Sequence, residues 1–78
     1  DMPAVKVAKE TEYVSELLVA AGIAKSKGEA KRLIEGGGVS LGEQKVTDAF
    51  AKIPEWEKEQ GEFVLHKGKK VHVKIILE

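Results

Sequence analysis

Four cations, Lys25, Lys27, Lys31 and Arg32, fall within the eight-residue run Lys25-Ser26-Lys27-Gly28-Glu29-Ala30-Lys31-Arg32, with Glu29 as the one acid among them. Such a set suits the binding of an anion. Ser26 followed three residues later by Glu29 has the spacing of a capping box, in which each side chain satisfies a backbone N–H that the first helical turn leaves unpaired. A helix therefore starts at Ser26. Cations in a first turn oppose the helix dipole, which favours acids there. A phosphate at that place would be drawn by the free N–H groups, the dipole and the lysines together. The alternative is a solvated charged face without a ligand.

A second basic cluster, Lys67, Lys69, Lys70 and Lys74, contains no acid, so eight of the thirteen basic residues sit in two short segments. The first three of these flank or follow Gly68 in a turn between two strand patterns. They read either as solubilising surface or as a second contact for one phosphate backbone. Lys45 lies at the edge of a short hairpin pattern after the capped helix, near that helix if the elements pack compactly. Catalysis is poorly supported: Ser26 is accounted for as a cap, and no serine–histidine–acid arrangement is suggested by local motifs. His66 and His72 flank the lysine turn, facing each other or solvent, and two histidines without cysteine are too few for a zinc set. No cofactor motif is present.

Length and composition bound the rest. Seventy-eight residues supply one small core, and thirteen basic residues balance thirteen acidic ones, so net charge by itself does not point to nucleic acid. The acids Glu55, Glu57, Glu59 and Glu62 crowd between the two basic segments, which predicts a basic face and an acidic one. No apolar run approaches a membrane span, and no signal-peptide pattern opens the chain; a soluble intracellular setting is the expectation. Asp1 in place of Met points to a piece of a longer chain.

The elements that must position these cations follow from periodicity. Residues 1–12, with Pro3 and the alternation of Val5 and Val7, read as a linker or extended arm able to dock as a short strand, and residues 13–78 as the domain proper. Val14, Leu17, Leu18 and Ala21 recur at helical spacing from Tyr13 to Ala21, with Gly22 as the stop. The capped helix runs from Lys27 to about Glu35, burying Ala30, Leu33 and Ile34, and Gly36-Gly37-Gly38 ends it. Val39-Ser40-Leu41 and Lys45-Val46-Thr47 read as a hairpin around a three-residue loop, Gly42-Glu43-Gln44. Asp48 to Lys58 is less regular: Ala49, Phe50 and Ile53 cap one end of the core, Pro54 limits any helix there, and Trp56 packs structurally within its acidic surround. Glu62 to His66 and Val71 to Leu77 give the clearest strand alternation. The fold class is α+β: two short packed helices followed by a small, mostly antiparallel sheet. Two function classes stay open at this point, an RNA- or DNA-binding module working through phosphates and a protein-interaction or structural domain using Val19, Ile23 and Trp56.

The run from Leu17 to Ile34, followed by Gly37-Gly38-Val39-Ser40-Leu41-Gly42-Glu43-Gln44-Lys45-Val46, resembles the RNA-binding domain named after the small-subunit ribosomal protein S four. Gly61-Glu62-Phe63-Val64-Leu65, Gly68-Lys69-Lys70 and the final strand resemble the end of bacterial-type tyrosyl-tRNA synthetases, the type also used in mitochondria. The resemblance implies a C-terminal appendage that holds tyrosine tRNA, without an active site or cofactor of its own. A separate catalytic domain would use ATP and magnesium. It implies Lys25, Ser26, Lys27, Lys31, Arg32 and Lys45 as the RNA-facing set, to which charge and local geometry add Lys67, Lys69 and Lys70. It further implies a monomeric isolated domain, a homodimeric parent enzyme, and a cytoplasmic or mitochondrial-matrix setting. The chain departs from the family pattern at Gly28, where a small polar residue is usual, and at Leu41, where an Asn is common.

Overall fold

The computed structural model describes residues 2–78 and places them in eight elements: β1 (Ala4–Val7), α1 (Val14–Ala20), α2 (Lys27–Glu35), β2 (Val39–Leu41), β3 (Gln44–Val46), α3 (Glu55–Gln60), β4 (Glu62–Lys67) and β5 (Val71–Leu77). The strands form one sheet in the order β1-β5-β4-β2-β3, antiparallel throughout except for β1, which runs parallel to β5. This is the α+β arrangement expected, two packed helices with a small mixed sheet.

Alternation on the strands decides which face is covered. Val39 and Leu41, Phe63 and Leu65, and Val73, Ile75 and Leu77 point to the side on which α1 and α2 lie, and all are buried. Val14, Leu17 and Leu18 of α1 and Ala30 and Ile34 of α2 meet them with no exposed surface. Each fully buried Leu or Ile contributes about 1.5–3 kcal/mol through burial, and neither helix, at seven and nine residues, would hold its shape without that contact.

Residues 4–7 dock as a short strand on the sheet edge, as the Val5 and Val7 alternation allows: Val5 pairs with Ile75 and Val7 with Leu77, and Val7 is buried. Other segments differ from expectation in instructive ways. β3 begins at Gln44 rather than Lys45, because Leu41 pairs with Gln44 and the hairpin loop is Gly42-Glu43. Gly42 has φ +58°, which suits the first central position of a two-residue hairpin turn. A short helix, α3, starts directly after Pro54, where a proline's fixed φ and missing N–H are compatible with a helix entry although not with a helix interior. Its C-terminal end is set by Gly61 at φ +80°. Among the described residues no helix is long and apolar enough to cross a membrane.

Candidate nucleic-acid interface

The start of α2 is built as the capping spacing predicts, with one difference. Ser26 is the N-cap in extended conformation, and its Oγ accepts the Glu29 N–H at 3.2 Å. The Glu29 carboxylate reaches one residue further than expected and accepts the N–H of Lys25 at 3.2 Å. Both bonds are exposed to solvent. Among the described residues the N–H groups of Lys27 and Gly28, in the first turn, have no hydrogen-bond partner. A Cβ at Gly28 would meet only Ser26 Oγ, at 3.8 Å, so the smaller residue leaves the approach open without being demanded by packing.

The cations line the outer side of α2 and its far end. Lys25 and Lys27 stand at its start, Lys31 midway and Arg32 in its last turn; Lys25, Lys27 and Arg32 are exposed, and Arg32 Nε reaches back to donate to the Gly28 carbonyl at 3.4 Å. Lys31 is half-buried because its ammonium lies over the Phe50 ring, 4.6 Å from the centroid. Lys45 is at the far end: its Cε and Nζ lie 3.2 and 3.4 Å from where a Cβ at Gly37 would stand. With Gly37 at φ +79°, a side chain at that position would both strain the backbone and displace Lys45. Lys45 thus crosses the glycine stop after α2, where a cation also favours the helix C-terminal end.

The lysine turn begins at that far end. Lys67 pairs with Val39 on β2 and with Val71 on β5, and the Gly68 N–H donates to the Gly38 carbonyl at 2.7 Å. Lys67 therefore stands beside the same glycine run as Lys45, whereas Lys70, past the turn, borders Met2, Pro3 and Val71 on the β1 side of the sheet. α2 is nine residues long, so about 13 Å separates its two ends. Among the described residues the ion pairs are Lys6 Nζ–Glu78 Oε1 at 3.4 Å and Lys74 Nζ–Glu62 Oε1 at 3.2 Å. None of the candidate cations takes part in either.

Three residues behave otherwise than their sequence context suggests. Phe50, expected in the core beside Ala49 and Ile53, is 66% exposed, whereas those two are buried. The cause is a turn: Asp48 Oδ1 accepts the Phe50 N–H at 2.8 Å and the Asp48 carbonyl accepts the Ala51 N–H at 2.9 Å, turning the ring outward. An Asp two residues before the aromatic was the available signal for this. Trp56 is 54% exposed on α3 instead of packing within the fold. Leu33 is only partly buried, at the rim of the stripe that Ala30 and Ile34 fill. Val19 and Ile23, expected as apolar surface for a protein partner, are also partly buried against the core.

His66 and His72 are cross-strand partners on β4 and β5 that face each other, Nδ1 to Nδ1 at 2.6 Å, with rings at 80°. One must donate and the other accept. Among the described residues no three His, Cys, Asp or Glu side chains come together as a metal site.

A family model described as the tyrosine--tRNA ligase SYY-like C-terminal domain matches residues 1–75 of this chain. The tyrosine--tRNA ligase of Malacoplasma penetrans is 41% identical over 64 residues, covering 82% of this chain and 16% of that protein. That of Clostridium tetani is 36% identical over 80 residues, covering 100% and 20%. That of Bdellovibrio bacteriovorus is 42% identical over 79 residues, covering 100% and 19%. The chain thus spans a fifth or less of the length of these relatives.

Proposed function

Because the chain belongs to the SYY-like C-terminal domain family of tyrosine--tRNA ligases, we propose that it holds tyrosine tRNA by its phosphate backbone as an appendage of such a ligase. Activation of tyrosine with ATP and magnesium, and its transfer to the tRNA, then fall to a catalytic domain elsewhere in the parent enzyme. The observation that carries the reading is the set of cations around α2 that take part in no ion pair among the described residues, in a chain whose acids equal its bases in number.

In this mechanism Lys25, Lys27, Lys31 and Arg32 neutralise phosphates along the outer side of α2, and the open N–H groups of its first turn donate to one phosphate oxygen. Lys45 and Lys67 hold the strand about one helix length away, and Lys69 and Lys70 hold it past the turn. The core supplies the rigidity: Ile34 locks α2 to the sheet, and the Gly68–Gly38 hydrogen bond fixes the lysine turn against the end of α2. Such contacts set position and register without reading sequence. The parent enzyme is a homodimer on this reading, with this domain contributing tRNA contacts in the cytoplasm or the mitochondrial matrix.

Titration of tyrosine tRNA with the Lys27→Ala/Arg32→Ala variant tests it. Both side chains are exposed, so the melt should be nearly unchanged while affinity falls and the slope of log K against log salt shrinks by about 1 per lost contact. An unaltered affinity and slope would remove α2 from the interface.

A further inference from the structure

Phe50 is a large apolar ring held in solvent by a built turn, and it borders the basic face of α2. Its backbone is pinned on both sides. Asp48 accepts its N–H, the Ala51 carbonyl accepts the N–H of Val14 at 3.1 Å, and the Ile53 N–H donates to the Glu12 carbonyl at 2.7 Å. Ala49, next to it, is buried and anchors the turn in the fold. The ring opens on a cleft of about 220 Å³ lined by Tyr13, Glu16, Lys27, Lys31, Ala49 and Phe50. That volume lies below the range of sites enclosing drug-sized ligands and suits one flat ring system.

The walls have the complement that a nucleotide needs. Phe50 offers a π-face, and stacking on an aromatic ring is the sequence-tolerant way in which proteins hold unpaired bases. Lys27 and Lys31 stand where the attached phosphate would sit, and Glu16 can accept from an exocyclic amino group. Lys31 now rests on the ring at 4.6 Å. A cation over an exposed ring is a weak contact, so the ammonium is readily exchanged from ring to phosphate when a base takes its place. We infer that this cleft is a stacking site for one unpaired base of the bound RNA, with Phe50 as its platform. The inference rests on the phosphate-binding reading above and adds a contact that net charge does not supply.

The test is affinity for tyrosine tRNA at two salt concentrations for the unsubstituted chain and for Phe50→Ala, Phe50→Leu and Phe50→Trp. With the ring mostly in solvent, all three variants should melt close to the parent. Loss of one stacked base is expected to weaken binding about 5- to 100-fold in Phe50→Ala, with Phe50→Leu nearly as weak, Phe50→Trp at or above parental affinity, and the salt slope unchanged. Salt-sensitive binding by the parent that is retained in Phe50→Ala, or restored by Leu as well as by Trp, overturns the stacking site and leaves the phosphate reading standing. Absence of salt-sensitive binding by the parent overturns both.

Discussion

The cap at Ser26 and the phosphate contact proposed beside it can be separated by one substitution. The Ser26 Oγ caps α2 through the Glu29 N–H, at a distance of 3.2 Å, near the long end for such bonds, and in solvent. Ser26→Ala should therefore cost about 0.5–1 kcal/mol, the lower part of the range for lost caps. For a domain of this size that is a fall of roughly 3–6 °C in Tm. Aspartate caps as well as serine and favours the helix dipole, so Ser26→Asp should melt within a few degrees of the parent. Its effect on tRNA should be opposite to its effect on the helix. A carboxylate about 4 Å from a bound phosphate repels it by about 1 kcal/mol in bulk water and about 4 kcal/mol near a protein surface. Because Ser26 is exposed, the penalty belongs near the lower end, at about 1–2 kcal/mol, or roughly a 5- to 30-fold loss of affinity. The loss should shrink as salt rises. Paired thermal melts and anisotropy titrations with tyrosine tRNA measure both quantities. A Ser26→Asp chain that melts normally and binds at parental affinity would refute a phosphate at the start of α2.

Burial ranks the two aliphatic residues of α2: Ile34→Ala, with no exposed surface, should cost about 2–5 kcal/mol, and Leu33→Ala, at the rim, about 1–2 kcal/mol. Equal losses in urea melts, or the reverse order, would contradict the packing described. Glu57 is only 2% exposed, and burial raises its carboxyl above the ordinary value of 4.5. The fold therefore holds the proton more tightly than the unfolded chain does. The associated stability is complete below that ordinary value and is lost as pH climbs from it through the raised one. Glu57→Gln should remove this loss, and a stability difference between variant and parent that stays constant from acid to neutral pH would count against it.

What the amino-acid order disclosed was whatever rests on local chemistry. The start of α2 was legible because Ser26 and Glu29 act within one turn, and the β4 and β5 alternation because each strand has one covered face. Residues whose fate depends on distant partners were not. The alternation of Val5 and Val7 showed that the segment could dock as a strand, but not that its partner would be the open parallel edge of β5. Leu33 and Ile34 are chemically alike, and the angle at which α2 meets the sheet decides which of them is sealed. Phe50 looked like core because it lies between Ala49 and Ile53, yet a single Asp48 hydrogen bond outweighed its hydrophobicity. Among the candidate site residues, Lys25 to Arg32 followed from the cap, whereas the nearness of Lys45 and Lys67 arises from the meeting of two hairpins at a glycine run.

The parallel pairing of β1 with β5 has a mechanical consequence. The Pro3 carbonyl accepts the Lys74 N–H at 2.8 Å, the Val7 carbonyl accepts the Glu78 N–H at 3.0 Å, and the Glu78 carbonyl accepts the Lys9 N–H at 2.9 Å. Tension applied at the start of β1, along the strand, would load these bonds and the ladder between them together, in shear, instead of unzipping them singly. A pull applied there would move the whole sheet as one stiff piece, with little slack.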